Sequence, residues 1–388
     1  MNKKVLTTAL LATFAGAAHA QSSVTLYGII DAGISYANHS GANSQKIFKY
    51  DDGVAQGSRW GLRGAEDLGG GLKAIFVLEN GFNSGNGTLG QGGALFGRQA
   101  YVGLSKDNVG AVTFGRQYSL STDVLGNYST GSNTVAGNYA YHINDVDQLT
   151  SSRINNSVKF SSASFYGVTF GALYGFSNQA GSFGGAPTVG TTTGSSRTYS
   201  FGLNYAFGGA GIGAAYTDIK FPQLSSPAFP VSLANFSAGS TATNVASTVK
   251  DLRTFGVGGR YTFGPATVWA LYTNTRFEPI SLGSSIYTAY EAGGKWALTQ
   301  ALSLAAGYTY MHLAGSANGH WNQVNGVVDY ALSKRTDVYG LVVYQDASGK
   351  VGATNLQAQI GDSTSFFGNS GSNSQNQLAF RVGMRHKF

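Results

Sequence analysis

The chain of 388 residues holds 56 glycines, 22 tyrosines and 23 phenylalanines but only 6 prolines, and its charged residues amount to 11%, against about 25% in an ordinary soluble protein. Few prolines and many aromatics exclude collagen-like and disordered chains and favour strands; with no cysteine, disulfides, thiolate metal centres and cysteine nucleophiles are excluded together. The formal charge of +7 comes from cations spaced singly along the sequence, not from the clustered basic patch that nucleic-acid binding requires, so nucleic acid is not an expected partner.

In chain order, Met1–Ala20 places Lys3 and Lys4 before an apolar stretch from Val5 to Ala17 and ends on Ala18-His19-Ala20. That is the pattern of a cleaved secretory signal, with a mature chain over 21–388. No later apolar run approaches the ~18 residues of a membrane-spanning helix, and a secreted, aromatic-rich chain can still enter a membrane as a closed barrel.

Segments of about 9 to 12 residues then alternate apolar with polar or small side chains, the length and period of strands that cross a membrane. Residues 168–177 place Val168, Phe170, Ala172, Tyr174 and Phe176 on one face. Residues 197–207 do the same with Tyr199, Phe201, Leu203, Tyr205 and Phe207, and residues 302–310 with Leu302, Leu304, Ala306, Tyr308 and Tyr310. Counted along the whole chain, such segments predict an all-β, 16-stranded antiparallel transmembrane barrel.

Short turns, such as Gly69-Gly70-Gly71, Gly208-Gly209 and Gly264-Pro265, alternate with long stretches at Ala37–Gly57, Asn83–Ala94, Ser119–Ser151, Asn178–Ser196, Lys220–Lys250 and Asp346–Asn376. That rhythm fits short periplasmic turns and long external loops. Aromatics near strand ends, including Tyr27, Tyr36, Phe160, Tyr205, Phe207, Tyr261, Phe263, Trp296, Tyr330 and Phe388, fit girdles at the two membrane interfaces.

The final segment sets Leu378, Phe380, Val382, Met384 and Phe388 on one parity and Arg381, Arg385 and Lys387 on the other. A cationic row facing lipid is costly, so it must face water. A strand ending on Phe388 resembles the assembly signal of outer-membrane barrels.

Several motifs, in order, resemble the general, non-specific porins of Gram-negative bacteria, particularly the β-proteobacterial type. They are Val24-Thr25-Leu26-Tyr27-Gly28, Ser58-Arg59-Trp60-Gly61-Leu62-Arg63-Gly64, Arg98-Gln99-Ala100-Tyr101-Val102, Gly115-Arg116-Gln117-Tyr118, Asn156-Ser157-Val158-Lys159-Phe160, Leu332-Ser333-Lys334-Arg335 and His386-Lys387-Phe388. The resemblance implies a homotrimer in outer-membrane lipid and lipopolysaccharide, inserted by the barrel-assembly machinery, whose third loop, about 119–151, narrows a water-filled pore for ions and small hydrophilic solutes. It also implies a basic ladder on the pore wall at Arg59, Arg98, Arg116 and Arg153.

Parity alone puts Arg59 and Arg63 on the lumen side, opposite Trp60 and Leu62, and groups Arg153, Asn155, Ser157 and Lys159 against Ile154, Val158 and Phe160. Parity is not clean for Arg98 and Arg116, whose face carries Val102, Leu104 and Phe114. The loop acids expected opposite the ladder are Asp123, Asp145 and Asp147. Asp31, Glu79, Glu291, Asp329, Arg260, Arg381 and Arg385 are further candidates for lumen charges. Cations outnumbering acids at the waist predict a weak to moderate anion preference.

Rival readings have less in their favour. Gly209–Ala214 fits the letters of a dinucleotide fingerprint but keeps a two-residue period where a helix is needed. The histidines His39, His142, His312, His320 and His386 show no catalytic or metal-ligand spacing, and His142 reads as a solvated loop residue. No catalytic residue, metal or cofactor is therefore expected. A sugar-specific channel would need an aromatic slide, and Tyr27, Trp269 and Tyr339 are dispersed. A barrel serving as adhesin or receptor stays open as the alternative.

Overall fold

The computed structural model describes residues 23–150, 152–176, 197–220, 249–279, 284–315, 317–351, 353–361 and 372–388. The predicted signal segment, the loop at 178–196 and the loop between 220 and 250, apart from its ends, lie outside the described residues.

Its strands are β1 (Ser23–Ser40), β2 (Gln45–Asp52), β3 (Arg59–Gly69), β4 (Leu72–Gly81), β5 (Gln99–Lys106), β6 (Gly110–Tyr118), β7 (Arg153–Ser162), β8 (Val168–Gly175) and β9 (Arg197–Phe207). They continue as β10 (Ala210–Lys220), β11 (Val249–Phe263), β12 (Ala266–Pro279), β13 (Ser285–Ala297), β14 (Leu302–Gly315), β15 (Asn318–Ala331), β16 (Thr336–Val351), β17 (Thr354–Asn355) and β18 (Asn376–Lys387). All pair antiparallel in one sheet that closes where β1 meets β18, from Ile29↔Lys387 to Ala37↔Ala379. Sixteen strands make the barrel wall: β2 and β3 follow one another along the same edge of β1 and fill one place, and β17 is an addition at the external end. No described helix is long and apolar enough to cross a membrane.

The two-residue period sorts side chains as alternation predicts. On β9, Phe201, Leu203, Tyr205 and Phe207 are exposed outside, whereas Thr198 and Ser200 are buried inside. On β18, Phe380, Val382 and Met384 face out, while Ala379 and Arg381 are buried within. At the periplasmic end Tyr205, Phe207, Tyr261, Phe263, Trp296 and Tyr330 all face outward, with Tyr205 and Phe207 stacked at 6.5 Å. Tyr27 does not belong to this girdle: it shares the parity of Asp31, and its hydroxyl donates inward to Glu79.

Two long loops prove partly ordered as strand. β1 runs on to Ser40, turns through Gly41–Ser44 (Ser44 N to Gly41 O, 2.9 Å) and returns as β2. The chain then bends inward over Gly53–Ser58, burying Val54 and Ala55, before β3 resumes beside the lower half of β1. Gly53 at φ 71° supplies the left-handed residue that this bend needs. β2 does alternate, with Phe48 and Tyr50 exposed outside and Asp51 buried inside, but over too few residues for the pattern to mark a strand within the predicted loop. β16 likewise continues to Val351 and pairs with β17.

Phe388 completes the seam. Gly28 N donates to Phe388 O at 3.0 Å and Phe388 N to Gly28 O at 3.1 Å. Its ring lies over Gly28, where a Cβ would come within 2.3 Å of the ring. Two seam hydrogen bonds and a half-buried ring together contribute about 2 to 3 kcal/mol. Deleting Phe388 is expected to cut the yield of heat-modifiable folded barrel severalfold on a semi-native gel; undiminished yield would show that the seam closes without it.

Candidate functional site

Between β6 and β7 the chain turns into the barrel instead of away from it. Ser119 N donates to Ser152 O at 2.9 Å, closing the neck of the loop. Inside, two short helices form, α1 (Leu120–Val124) and α2 (Thr130–Asn133), capped by the hydroxyls of Ser119 and Ser129. The loop is held first by wall hydroxyls: Leu120 N donates to Ser200 Oγ at 2.9 Å, and Ser121 Oγ lies 2.7 Å from Thr217 Oγ1.

Glycines on the inner face make the seat for this loop. A Cβ at Gly202 would come within 2.9 Å of Leu120 and Val124, one at Gly213 within 2.8 Å of Val124 and Tyr128, one at Gly258 within 2.5 Å of Tyr128, and one at Gly307 within 2.7 Å of Thr130. Real Cβ atoms do not approach so closely, so these strands present a groove where side chains would otherwise stand. Leu120, Leu125 and Tyr128 fill it and are buried with Ile154, Leu173 and Leu271 of the wall, at about 1.5 to 3 kcal/mol per large apolar side chain.

Farther along, the loop is fastened by a buried imidazole. His142 Nε2 lies 3.0 Å from Glu291 Oε2 of β13, and Nδ1 bonds Asp147 of the loop itself. Thr273 Oγ1 donates to the same Asp147 oxygen at 2.7 Å. Glu291 also accepts from Thr130 N, and Trp269 Nε1 donates to Thr130 Oγ1 at 2.9 Å. Burial opposes charge on the imidazole, but Asp147 and then Glu291 outweigh it and raise the pKa of His142 to about 10. His142 is thus not a solvated loop residue but a charged bridge between loop and wall.

A third fastening lies across the lumen. Tyr139 OH donates to Asp51 Oδ2 at 2.6 Å and lies 2.8 Å from Ser35 Oγ, and Asn138 N donates to Val54 O at 2.7 Å. Beside it Arg381 is fully buried, donating to Tyr339 OH at 2.9 Å, to Asp51 O at 3.2 Å and to Asp31 Oδ1 at 3.3 Å. The loop therefore reaches from β9 and β10, past β13, to β1 and β2.

The predicted charges separate into groups. Glu79 is clamped by Arg98 at 2.7 Å and Arg59 at 3.7 Å and accepts from Tyr27 OH at 3.0 Å. Arg63 lies over the Tyr27 ring at 5.4 Å. Lys159 pairs with Asp123 and donates to Tyr118 O at 3.0 Å. Arg385 meets Asp337 at 2.7 Å.

Arg116 and Arg153 depart from the expected row. The register shifts between Gly115 and Gln117, and Asn156 on the facing strand takes φ 49°, a bulge that inverts the phase. Ile154, buried against the loop, continues the inner row of Ser157 and Lys159 in place of Arg153. Arg153 lies over the Tyr118 ring at 5.1 Å, and Arg116 Nε donates to Gly97 O at 2.8 Å.

Two of the expected loop acids do not face the pore. Asp145 is fully buried and accepts from Leu149 N at 2.8 Å and Thr150 Oγ1 at 3.0 Å. Asp147 is occupied by His142 and Thr273. A carboxylate beside unpaired loop N–H groups closes the local turn more readily than it reaches into water, which no spacing of three acids reveals.

Below the loop, toward the periplasmic turns, opens a vestibule of about 850 Å³, lined by Leu120, Val124, Tyr128, Asp123, Arg260 and Lys295 among others. Among the described residues, no carboxylate lies within 4.0 Å of the side-chain nitrogens of Arg260, Lys295 or Arg63. Lys295 is missing from the sequence expectations although its signal is present: it alternates with the outward Trp296. No described group of three or more histidines and carboxylates is arranged to hold a metal ion.

A family model described as Gram-negative porin matches residues 7–350. An outer membrane porin protein of Bordetella pertussis is 33% identical over 383 residues, covering 89% of this chain and 94% of the relative. Outer membrane porin protein 32 of Delftia acidovorans is 30% identical over 397 residues, covering 100% of both. Among solved structures, the anion-selective porin from Comamonas acidovorans superposes with a TM-score of 0.73 at 24% identity, over 95% of this chain and 100% of that one. OmpT of Vibrio cholerae, described as a trimer form, gives 0.63 at 18%, over 95% and 99%. These two are likenesses of fold.

Because the folded pKa of His142 is raised from 6.5 to about 10, its contribution to holding the loop is fully present below about pH 6.5. It declines above that and is lost as pH rises through about 10. Open-channel noise from loop movement is expected to grow between pH 8 and pH 11, and His142→Gln is expected to show high noise already at pH 7 with no further rise. A flat profile in the unsubstituted protein would reject the bridge.

Proposed function

From the premise that this chain belongs to the Gram-negative porin family, we propose that it forms a general-diffusion pore for ions and small hydrophilic solutes whose charge filter favours anions. Its place is the outer membrane. The observation that carries the anion preference is the fate of the acids. Glu79 lies between two arginines, Asp123 is on Lys159, Asp31 is sealed with Arg381, and Asp145 and Asp147 are buried in the loop. What meets water at the vestibule without a described counter-ion is Arg260 and Lys295, whereas Asp123 on the same wall is paired with Lys159.

In this reading Arg63 adds to the vestibule cations, while Arg59 and Arg98 hold Glu79, Lys159 holds Asp123, and Arg116 and Arg153 brace the bulge. Trp269 and Tyr339, each 3% exposed, pack against loop and wall, which weighs against an aromatic slide for sugars. A homotrimer is part of the proposal, supported by the trimer form of the Vibrio cholerae relative.

In planar bilayers the purified protein is expected to give large ohmic steps, with the reversal potential in a salt gradient on the anion side. Replacing both vestibule cations, Arg260→Gln with Lys295→Gln, should lower the anion-to-cation permeability ratio about two- to fivefold per charge, as ~0.5 to 1 kcal/mol of Coulomb energy in water implies. A cation-side potential in the unsubstituted protein would keep the pore and discard the charge filter.

A further inference from the structure

We propose that the last external loop carries a second constriction, a strap at Leu356–Ile360 folded into the external mouth and tied to the third loop. The proposal rests on the porin reading and adds to it the element that sets the size limit from outside.

Apolar loop residues on an external surface would ordinarily be wet. Here Leu356, Ala358 and Ile360 are each fully buried. Leu356 packs with Ile143 and Val146 of the third loop in one apolar cluster, and Ile360 packs with Val135 and Tyr139 in another. The wall makes room for it, since a Cβ at Gly319 would stand 2.3 Å from Leu356 Cδ1.

The backbone of the strap, which has no sheet partner along most of its length, is satisfied by inward-pointing side chains. Trp321 Nε1 donates to Gln357 O at 3.0 Å, and Ile360 N donates to Gln377 Oε1 at 2.6 Å. Gln359 N donates to Gln345 Oε1 at 2.5 Å; Gln345 Nε2 donates to Gln323 Oε1 at 2.7 Å; Gln323 Nε2 donates to Tyr139 O of the third loop at 3.2 Å. Two wall glutamines thus connect strap and constriction loop in one line. The returning chain backs the strap, with Ala358 N donating to Ser374 O at 2.8 Å and Asn373 N to Gln357 Oε1 at 2.7 Å.

Buried backbone N–H groups left without partners are costly, and Gln345 and Gln377 are the wall side chains that meet those of the strap. Over a strap they supply the donors and acceptors that a strand would. The geometry assigns Gln345 and Gln377 as its anchors.

The chain has no cysteine, so a single introduced thiol reports cleanly. Ile360→Cys is made in the full-length protein, alone and together with Gln345→Ala and Gln377→Ala. Folded barrels are treated with a membrane-impermeant maleimide, using Asn86→Cys in an exposed turn as reference. The Ile360→Cys thiol is expected to react at least ~tenfold more slowly than the reference, and the anchor substitutions should abolish that protection. Unitary conductance should rise about 1.5-fold or more in the anchor variant and in a variant lacking Thr354–Ile360, with larger neutral sugars admitted in liposome swelling.

Reaction of the Ile360→Cys thiol at the reference rate in the otherwise unsubstituted protein would overturn the strap, as would unchanged conductance and sugar cut-off in a folded deletion variant. Absence of any conductance from folded, unsubstituted protein would instead sink the porin reading, while the labelling rates would still decide whether the strap is seated.

Discussion

A chain that crosses hydrocarbon must pair every backbone N–H and C=O within itself, because each unpaired group there costs several kcal/mol. The ring of antiparallel strands, closed by β1 against β18 and pinned at its lower corner by Gly28 and Phe388, answers that constraint. All else follows from having an inside and an outside. Strand alternation delivers one row of side chains to lipid and the other to the lumen, so arginines that would be intolerable on the outer face stand one residue away from Val382 and Met384. Where the ladder breaks, as at the bulge facing Gly115–Gln117, the sorting changes phase.

The interior is in effect a second fold. The third loop, the inward bend at Gly53–Ser58 and Leu356–Ile360 share two apolar clusters inside the barrel. A lumen that must conduct cannot collapse onto such a filling everywhere. The glycine groove along β8–β11 eases this by letting the first part of the loop, Leu120–Tyr128, lie close against one wall before the chain crosses toward β1 and β2. The buried ion pairs act in the same sense. Burying Arg381 with Asp31 or His142 with two carboxylates adds little net stability relative to an apolar core, but such pairs hold only in one geometry, and they fix the position of a loop that has few strand bonds.

The barrel was legible in the sequence because its signal is repeated in every strand. Residues 197–207 show it in pure form, and β9 has those bounds. The loops were less so. Within Ala37–Gly57 only Phe48 and Tyr50 turn outward against Lys49 and Asp51, an alternation too short to mark β2 as a strand. The inward fate of the acids was hidden for a different reason. Whether Asp145 faces water or the N–H of Leu149 depends on the turn that the intervening residues make, and nothing in the letters Asp145 to Thr150 encodes it locally. His142 reads as solvated in the sequence because Glu291, 149 positions away, cannot be associated with it before the barrel closes. Parity puts Arg153 on the inner row, but one extra residue at the bulge brings Ile154 opposite Gln117 there, the slip to which a period of two is most exposed.

A tally of lumen arginines overstates the field a permeating ion meets. Arg381 and Asp31 are a closed pair, Arg98 and Arg59 share one carboxylate, and Lys159 and Asp123 neutralise each other. Acid exceeds base at the His142 bridge, but that cluster is sealed from lumen water, its three side chains 1% exposed or less. At an ionic strength of about 0.15 M, a charge is screened within about 8 Å, so only charges standing in the water path act strongly on a passing ion. Arg260 and Lys295 meet that condition, on the wall of a vestibule wide enough that they steer ions without trapping them. On the proposed reading, selectivity is set less by how many cations the strands carry than by how many carboxylates the loop has drawn out of the water.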